Sequence, residues 1–298
     1  MFIFNEENCV MQQYNEKLLK KVQQIDLTMA KHFVSFCQDN GLLCYFCGGG
    51  CIGTVRHKGF IPWDDDLDFF LPRDDFERLK KLWKDTDHYV LLYPTKTYND
   101  HSMYITMRDK KTTMITPVQK NMDIPHGIYM DIFPLDGCPD KKWQRKLQLF
   151  WALVYQLFCA QVVPNNHGKG IQIIGKLLLG IFRSKAVRYH IWKTAEKKMT
   201  KYSIQNCKYI TELCAGPKYM RNQYPKEYFE KAIMMDFEDT QMPIPVGYDG
   251  YLRQAFGDYM QLPPENERIP SHESFIDTDN PYTTYKGTQY CINGLSGK

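Results

Sequence analysis

Apolar residues recur at three- and four-residue steps between Glu16 and Asn40: Leu18, Leu19, Val22, Ile25, Met29, Phe33 and Phe36. That period places them on one face of an α-helix. Asn40-Gly41 supplies a stop. Leu42 to Cys47 is a short unbroken apolar run, the pattern of a buried strand, and Gly48-Gly49-Gly50 then predicts a turn or a helix start. After an acidic run from Trp63, Asp66 to Leu71 reads as a strand that Pro72 stops. Asp74 or Asp75 is placed to cap a helix reaching about Lys84. Tyr89–Tyr93, Met103–Arg108, Met114–Thr116 and Gly127–Phe133 are further strands, the last ended by Pro134. Strands and helices alternate irregularly, so the first half is predicted to be α/β with a mixed sheet.

The pattern changes at Lys141. From there to Tyr202 few breakers occur outside Pro164–Gly170, and two or three helices are expected. Ile171 to Phe182 is apolar, and Arg183, Lys185, Arg188, Lys193, Lys197 and Lys198 follow it. The stretch reads first as a core helix followed by a solvated basic one. The alternative is an apolar-then-basic element lying on an anionic bilayer. Ile210 to Lys298 is rich in Pro, Gly and Tyr and is expected to pack back on the first half. Three regions follow: a catalytic core at 1–140, a helical segment at 141–205 and an irregular C-terminal region at 206–298.

Length and composition narrow the class. The chain has 298 residues, 43% hydrophobic and 24% charged, which is globular rather than disordered. A net charge of +4 and a pI near 8.4 are too mild for a nucleic-acid binder but suit an anionic substrate or an anionic membrane surface. Ten cysteines are present without disulfide-scaffold spacing. Cys44-x-x-Cys47 lacks a second pair of zinc-ligand spacing, and Cys207 and Cys214 do not supply one. Reduced, buried thiols in the cytosol are the expectation. The start of the chain lacks a signal-peptide pattern, and no apolar run reaches membrane-spanning length; the nearest, Leu149–Val163, is broken by Gln156 and Gln161.

The chemistry concentrates in Trp63-Asp64-Asp65-Asp66-Leu67-Asp68. Adjacent carboxylates raise each other's cost of ionisation. A chain that keeps them beside apolar residues offsets that cost with a cation, and hard divalent ions take carboxylate oxygens. On a strand, Asp66 and Asp68 share a face. Asp64 joins it if the strand starts early, while Asp65 is expected to face solvent or bind Arg. Asp131 is a lone acid in the apolar run Tyr129-Met130-Asp131-Ile132-Phe133, expensive to bury unless paired or metal-bound. If its strand lies beside that of Asp66, three carboxylates converge. The Gly48-Gly49 turn brings backbone N–H groups close to a phosphate, helped by a helix N-terminus.

The stretch from Gly48 to Asp68, continuing through Leu71-Pro72-Arg73-Asp74-Asp75-Phe76, resembles the LicD family. So do Gly127 to Asp136, Phe256-Gly257-Asp258-Tyr259-Met260, Leu262-Pro263-Pro264, Arg268 and Ser271-His272-Glu273; together they span roughly residues 20–275. The resemblance implies a nucleotidyltransferase-like fold. It implies metal-dependent transfer of phosphocholine from CDP-choline to a sugar hydroxyl of a teichoic acid or other surface-glycan precursor, releasing CMP. By position, Asp66 and Asp68 match the family's metal pair and Asp131 its third acid, with Mg²⁺ or Mn²⁺ as cofactor. Two departures bear on the donor: Gly50 stands where the family usually has Thr, and Thr106 where many relatives carry Lys. Two alternatives remain. One is transfer of another alditol or sugar phosphate, or a nucleotide, from a CDP-type donor. The other is an inactive membrane-associated scaffold.

Asp64 is expected as an outer metal ligand or a base. Arg56 offers a bidentate fork to donor phosphate or pairs with the acids. His57 contacts ligand or holds a structural hydrogen bond, and Lys58 is solvated. Trp63 shields the acids by packing. Arg108 joins the expected substrate contacts. Arg268 and His272, in a Pro-rich stretch, close over the donor or simply dock there. The expected partners are a CDP-choline-type donor and a lipid-linked glycan precursor, met in the cytoplasm or peripherally on the inner face of the membrane. A choline group also requires aromatic faces.

Overall fold

The computed structural model describes residues 15–161, 169–270 and 274–292. Helix α1 (Glu16–Asp39) is capped by Asn15, whose side chain accepts from the Leu18 amide at 2.8 Å. Its stripe of Leu19, Val22, Met29, Phe33 and Cys37 is buried, and Phe33 meets Phe69 edge-on with ring centroids 4.9 Å apart. The helix therefore covers the apolar face of the sheet behind it.

That sheet is built from β1 (Tyr45–Cys47), β2 (Asp68–Pro72), β3 (Tyr89–Leu92), β4 (Ile105–Asp109) and β6 (Tyr129–Cys138), in the order β1-β2-β6-β4-β3. β2 and β6 run parallel and the other pairs antiparallel. β5 (Thr113–Ile115) lies outside it. Helix α2 (Gly48–His57) follows β1 directly, and α3 (Arg73–Leu82) follows β2. The architecture is the expected mixed α/β.

Local boundaries differ from the sequence reading in three places. β2 begins at Asp68, so Asp66 lies in the preceding loop rather than on the strand. β6 runs on through Pro134 to Cys138. Pairing with β4 ends at Ile132, which leaves Pro134 one ladder neighbour, β2, rather than two. Neither Asp74 nor Asp75 caps α3: its N-cap is Pro72, and the Asp75 carboxylate accepts instead from the Leu43 amide at 3.0 Å and from Arg78.

The middle of the chain forms α4 (Lys142–Ala160), α5 (Lys169–Ile181) and α6 (Lys185–Met199). α4 and α6 share a second core of Ala152, Tyr155, Cys159, Trp192, Ala195 and Met199. The chain then returns to the sheet. β7 (Tyr209–Thr211) pairs with the far half of β6, and β8 (Tyr224–Pro225) with β7. The hairpin of β9 (Ala232–Phe237) and β10 (Thr240–Pro245) places Phe237 5.1 Å from both Phe46 and Phe60. α7 (Tyr248–Phe256) carries Tyr251, and β11 (Phe275–Asp277) pairs with β5. The C-terminal region thus packs on the first half. The nine cysteines among the described residues are free thiols, eight of them buried.

Candidate active site

Parallel pairing of β2 with β6 sets Asp68 directly opposite Asp131. On the other side of β6, Thr106 of β4 is the register partner of Asp131, and Arg108 that of Tyr129. Alternation puts Asp68, Asp131, Thr106, Tyr129 and Arg108 on one face, while Phe69, Ile132 and Met107 go to the core. The Tyr104 hydroxyl hydrogen-bonds the Asp131 carboxylate, and its ring lies 4.3 Å from that of Phe133.

The other acids come from the loop before β2. Asp64, Asp65 and Asp66 each bring a carboxylate oxygen to within 4.8 Å of the others. The loop is pinned from two sides: the Asp64 amide donates to the Ile61 carbonyl at 2.9 Å, and the Gln23 amide of α1 donates to the Asp64 carbonyl at 2.8 Å. Leu67, 1% exposed, anchors it in the core. The expectation that Asp65 faces solvent fails, because its side chain is buried at 2% exposure.

The glycine turn packs on these acids. A Cβ at Gly49 would sit 2.1 Å from an Asp64 carboxylate oxygen, and one at Gly48 would sit 4.0 Å from Asp68. The N-terminus of α2, with its partial positive charge, therefore faces the carboxylates. The Gly48 amide donates to the Tyr251 hydroxyl at 3.1 Å, so this N–H is already engaged. At Gly50 a Cβ would meet the Phe46 ring at 3.3 Å, and a larger residue would crowd the core there.

Charge dominates the site. Burial pushes the Asp68 carboxyl well above the usual carboxylate range, and Asp66, Asp131 and Asp64 push it further. The Tyr104 hydroxyl is raised by Asp131 first and by burial second. Asp26, on α1, is fully buried and raised by desolvation, then by Asp66, Asp65 and Asp64. Its two oxygens have no hydrogen-bond partner among the described residues. Oxygens around one ion lie at most about twice the metal–oxygen bond apart, ~4 Å for Mg²⁺ and ~5 Å for Ca²⁺. The loop carboxylates, within 4.8 Å of one another, come inside the wider of these limits, and the unfavourable charge at Asp68 favours a cation nearby.

The cationic residues are divided. Arg56 lies close enough to Asp64 for the carboxylate to support its charge against burial, and it donates to the Tyr259 carbonyl at 2.6 Å. It also donates to His57 at 2.9 Å, and burial with the Arg56 charge keeps His57 below the usual imidazole range. The Arg268 guanidinium lies 5.6 Å over the Trp63 ring, which brings the C-terminal region to the acidic loop. Arg108 is 1% exposed, stacked 4.7 Å over Tyr129 and bonded to Gln119 at 2.9 Å. It shares the site's face of the sheet but sits in the interior. His272 lies outside the described residues.

Four neighbours escape the sequence reading: Asp26, Gln23, Tyr104 and Tyr251. Asp26 had a signal, since it falls at a core position of the α1 stripe between Val22 and Met29. Tyr251 had none, being about 200 residues from Gly48 and brought there by α7.

A family model described as LicD/FKTN/FKRP, nucleotidyltransferase domain, matches residues 41–151, which include the glycine turn, the acidic loop and Asp131. The lipopolysaccharide cholinephosphotransferase LicD of Haemophilus influenzae is 31% identical over 273 residues, covering 87% of this chain and 98% of that protein.

Proposed function

Because this chain belongs to the LicD family, we propose that it transfers phosphocholine from CDP-choline to a hydroxyl of a surface-glycan precursor, such as a teichoic acid, and releases CMP. The observation that carries the reading is the register of β2 against β6, which sets Asp68 beside Asp131 at the head of the loop holding Asp64 to Asp66. Asp66, Asp68 and Asp131 are the residues that would hold Mg²⁺ or Mn²⁺. When bound, such an ion polarises the donor pyrophosphate and neutralises the charge on the leaving phosphate.

The chain's own groups do the rest. The acceptor oxygen attacks the choline-bearing phosphorus in line, its bond to the CMP oxygen breaks, and Asp64 takes the acceptor proton. The missing side chain at Gly49 lets the Asp64 carboxylate pack against the start of α2, beside the backbone where the donor diphosphate would bind. Arg56 and Arg268 flank the acidic loop and offset the charge brought by the donor. Trp63, under Arg268, limits water access. Positioning and charge stabilisation account for most of the rate in such transfers.

Tyr104, bonded to Asp131, also borders a cavity of about 200 Å³ with Tyr93, Tyr155, Tyr189 and Trp192 around it. The Lys80 ammonium lies there 4.4 Å over Phe76 and 5.4 Å over Tyr93, so these rings accept a cation. We assign the choline group to this hollow, with Lys80 displaced.

The test is turnover of a panel of CDP-linked donors with Mg²⁺ or Mn²⁺, reading CMP release and label transfer to a glycan acceptor. CDP-choline should be the preferred donor. Preference for an uncharged CDP-alditol would replace it with the second reading, transfer of another alditol phosphate, and no turnover of any donor would point to a scaffold. Tyr93→Ala should raise KM for CDP-choline by about 3- to 30-fold, the range of one cation–π contact, and leave an uncharged donor unaffected.

A further inference from the structure

Helix α5 is unusual in what it leaves uncovered. Ile173, Ile174, Leu177 and Ile181 are 58–66% exposed and fall within about 100° of the helix circumference. The opposite side, Leu178, Leu179 and Phe182, packs on the second core. Arg188 of α6 donates to the Leu179 carbonyl at 2.7 Å and to the Phe182 carbonyl, and so fixes which side faces outward. Helix α4 repeats the pattern: Trp143, Leu147, Phe150 and Leu153 are 38–62% exposed along its outer stripe. Contiguous apolar surface of this kind marks an interaction face.

Charge identifies the partner. Residues 141–199 hold twelve lysines and arginines and one acid, Glu196, a formal charge of +11 within a chain of net +4. The remainder of the chain is therefore at −7. Glu196 is buried and paired with Lys193, whereas Lys142, Lys146, Lys176, Arg183 and Lys185 are exposed. A second copy of the chain would bring two such basic segments together and be repelled. A helix of this kind, with one apolar face and a basic rim, lies in the headgroup region of an anionic bilayer. No helix among the described residues is long and apolar enough to cross a membrane, so α5 would lie along the surface.

We propose that α5, flanked by the outer stripe of α4, seats the protein on an anionic membrane surface. The seat is separate from the acidic site, so its test does not depend on turnover. The full chain is floated with phosphatidylglycerol-containing vesicles and with phosphatidylcholine vesicles. Binding should occur to the anionic vesicles, weaken at high salt, and fall roughly tenfold or more in Ile173→Ser/Leu177→Ser/Ile181→Ser. Lys176→Glu/Lys185→Glu should remove most of the salt-sensitive part. Circular dichroism and thermal melting verify that both variants keep the fold. Absence of the wild type from the anionic vesicle fraction at low salt would overturn the proposal. So would a wild-type dimer by light scattering that the serine variant converts to monomer, because the face would then be a contact between copies.

Discussion

Gly49 and Asp64 occupy one space: the carboxylate of the second stands where a side chain on the first would be. Gly49→Ala leaves the core untouched and moves a flexible acid. The expected result is a loss of turnover of at least about 100-fold, because displacing a reacting group by about 1 Å costs that much. The melting temperature should change little; a large drop would mean that the turn supports the fold rather than the site. Glu212 answers to a different constraint. Burial pushes its carboxyl up to about 7 from an ordinary 4.5, against hydrogen bonds from Tyr224 and Asn222 that lower it. The folded state therefore keeps a proton that the unfolded chain releases. Stability from this group is complete below about pH 4.5 and is lost as pH rises toward 7. Glu212→Gln, neutral throughout, should become progressively more stable than the wild type across that window. The gain should level off near 3 kcal/mol above it, read by urea denaturation at several pH values.

At the scale of elements, the start of α3 is tied to β6 by one ion pair. Arg73 forks onto Asp136 at 2.7 and 2.8 Å, with Asp136 1% exposed. Burial raises the Asp136 carboxyl, and the charge and hydrogen bonds of Arg73 oppose it. Asp136→Ala would leave the largely buried Arg73 guanidinium with only the longer, half-exposed Glu77 pair at 3.7 Å. A loss of about 3–5 kcal/mol is expected in chemical denaturation, with Asp136→Asn milder. The same strand shows how an element serves two layers. The first half of β6 carries Asp131 to the site, and the second half pairs with β7 below the helical segment. Continuation through Pro134 makes this possible, and the proline rule applied to the sequence alone stops the strand at Phe133, five residues early.

Across the whole molecule, acidic and basic groups are segregated. The half that carries the acids is net negative, and the helices carry the positive excess. A metal-free protein therefore holds Asp68 at a cost in stability. Saturating Mg²⁺ or Mn²⁺, at about 100 times Kd, should add roughly 2–3 kcal/mol, seen as several degrees in the melting temperature. Asp68→Asn should melt higher than the wild type without metal and gain little when metal is added. An equal response of both proteins would remove Asp68 from the ligand set. The C-terminal region completes the molecule by returning across it. Arg56 reaches Tyr259, Arg268 covers Trp63, and β11 joins β5.

The periodicity of the chain alone determined the first helix to within a residue, the succession of strands through Asp131 and a helical segment after Lys141, because burial selects a face and a face imposes a period; that this segment holds three helices rather than two came from the structure. The clustering of carboxylates was legible for the same reason that it is costly, since like charges are not kept together beside apolar residues without an offset. Register was not legible. That Asp68 stands opposite Asp131, that Asp66 lies in the loop before β2, that Asp65 turns inward near Asp26 and that Tyr251 meets Gly48 depend on pairings between distant segments. Those pairings are settled by the packing of α1, the sheet and α7 on one another. A local pattern records which way a residue faces, and only the assembled core decides what it faces.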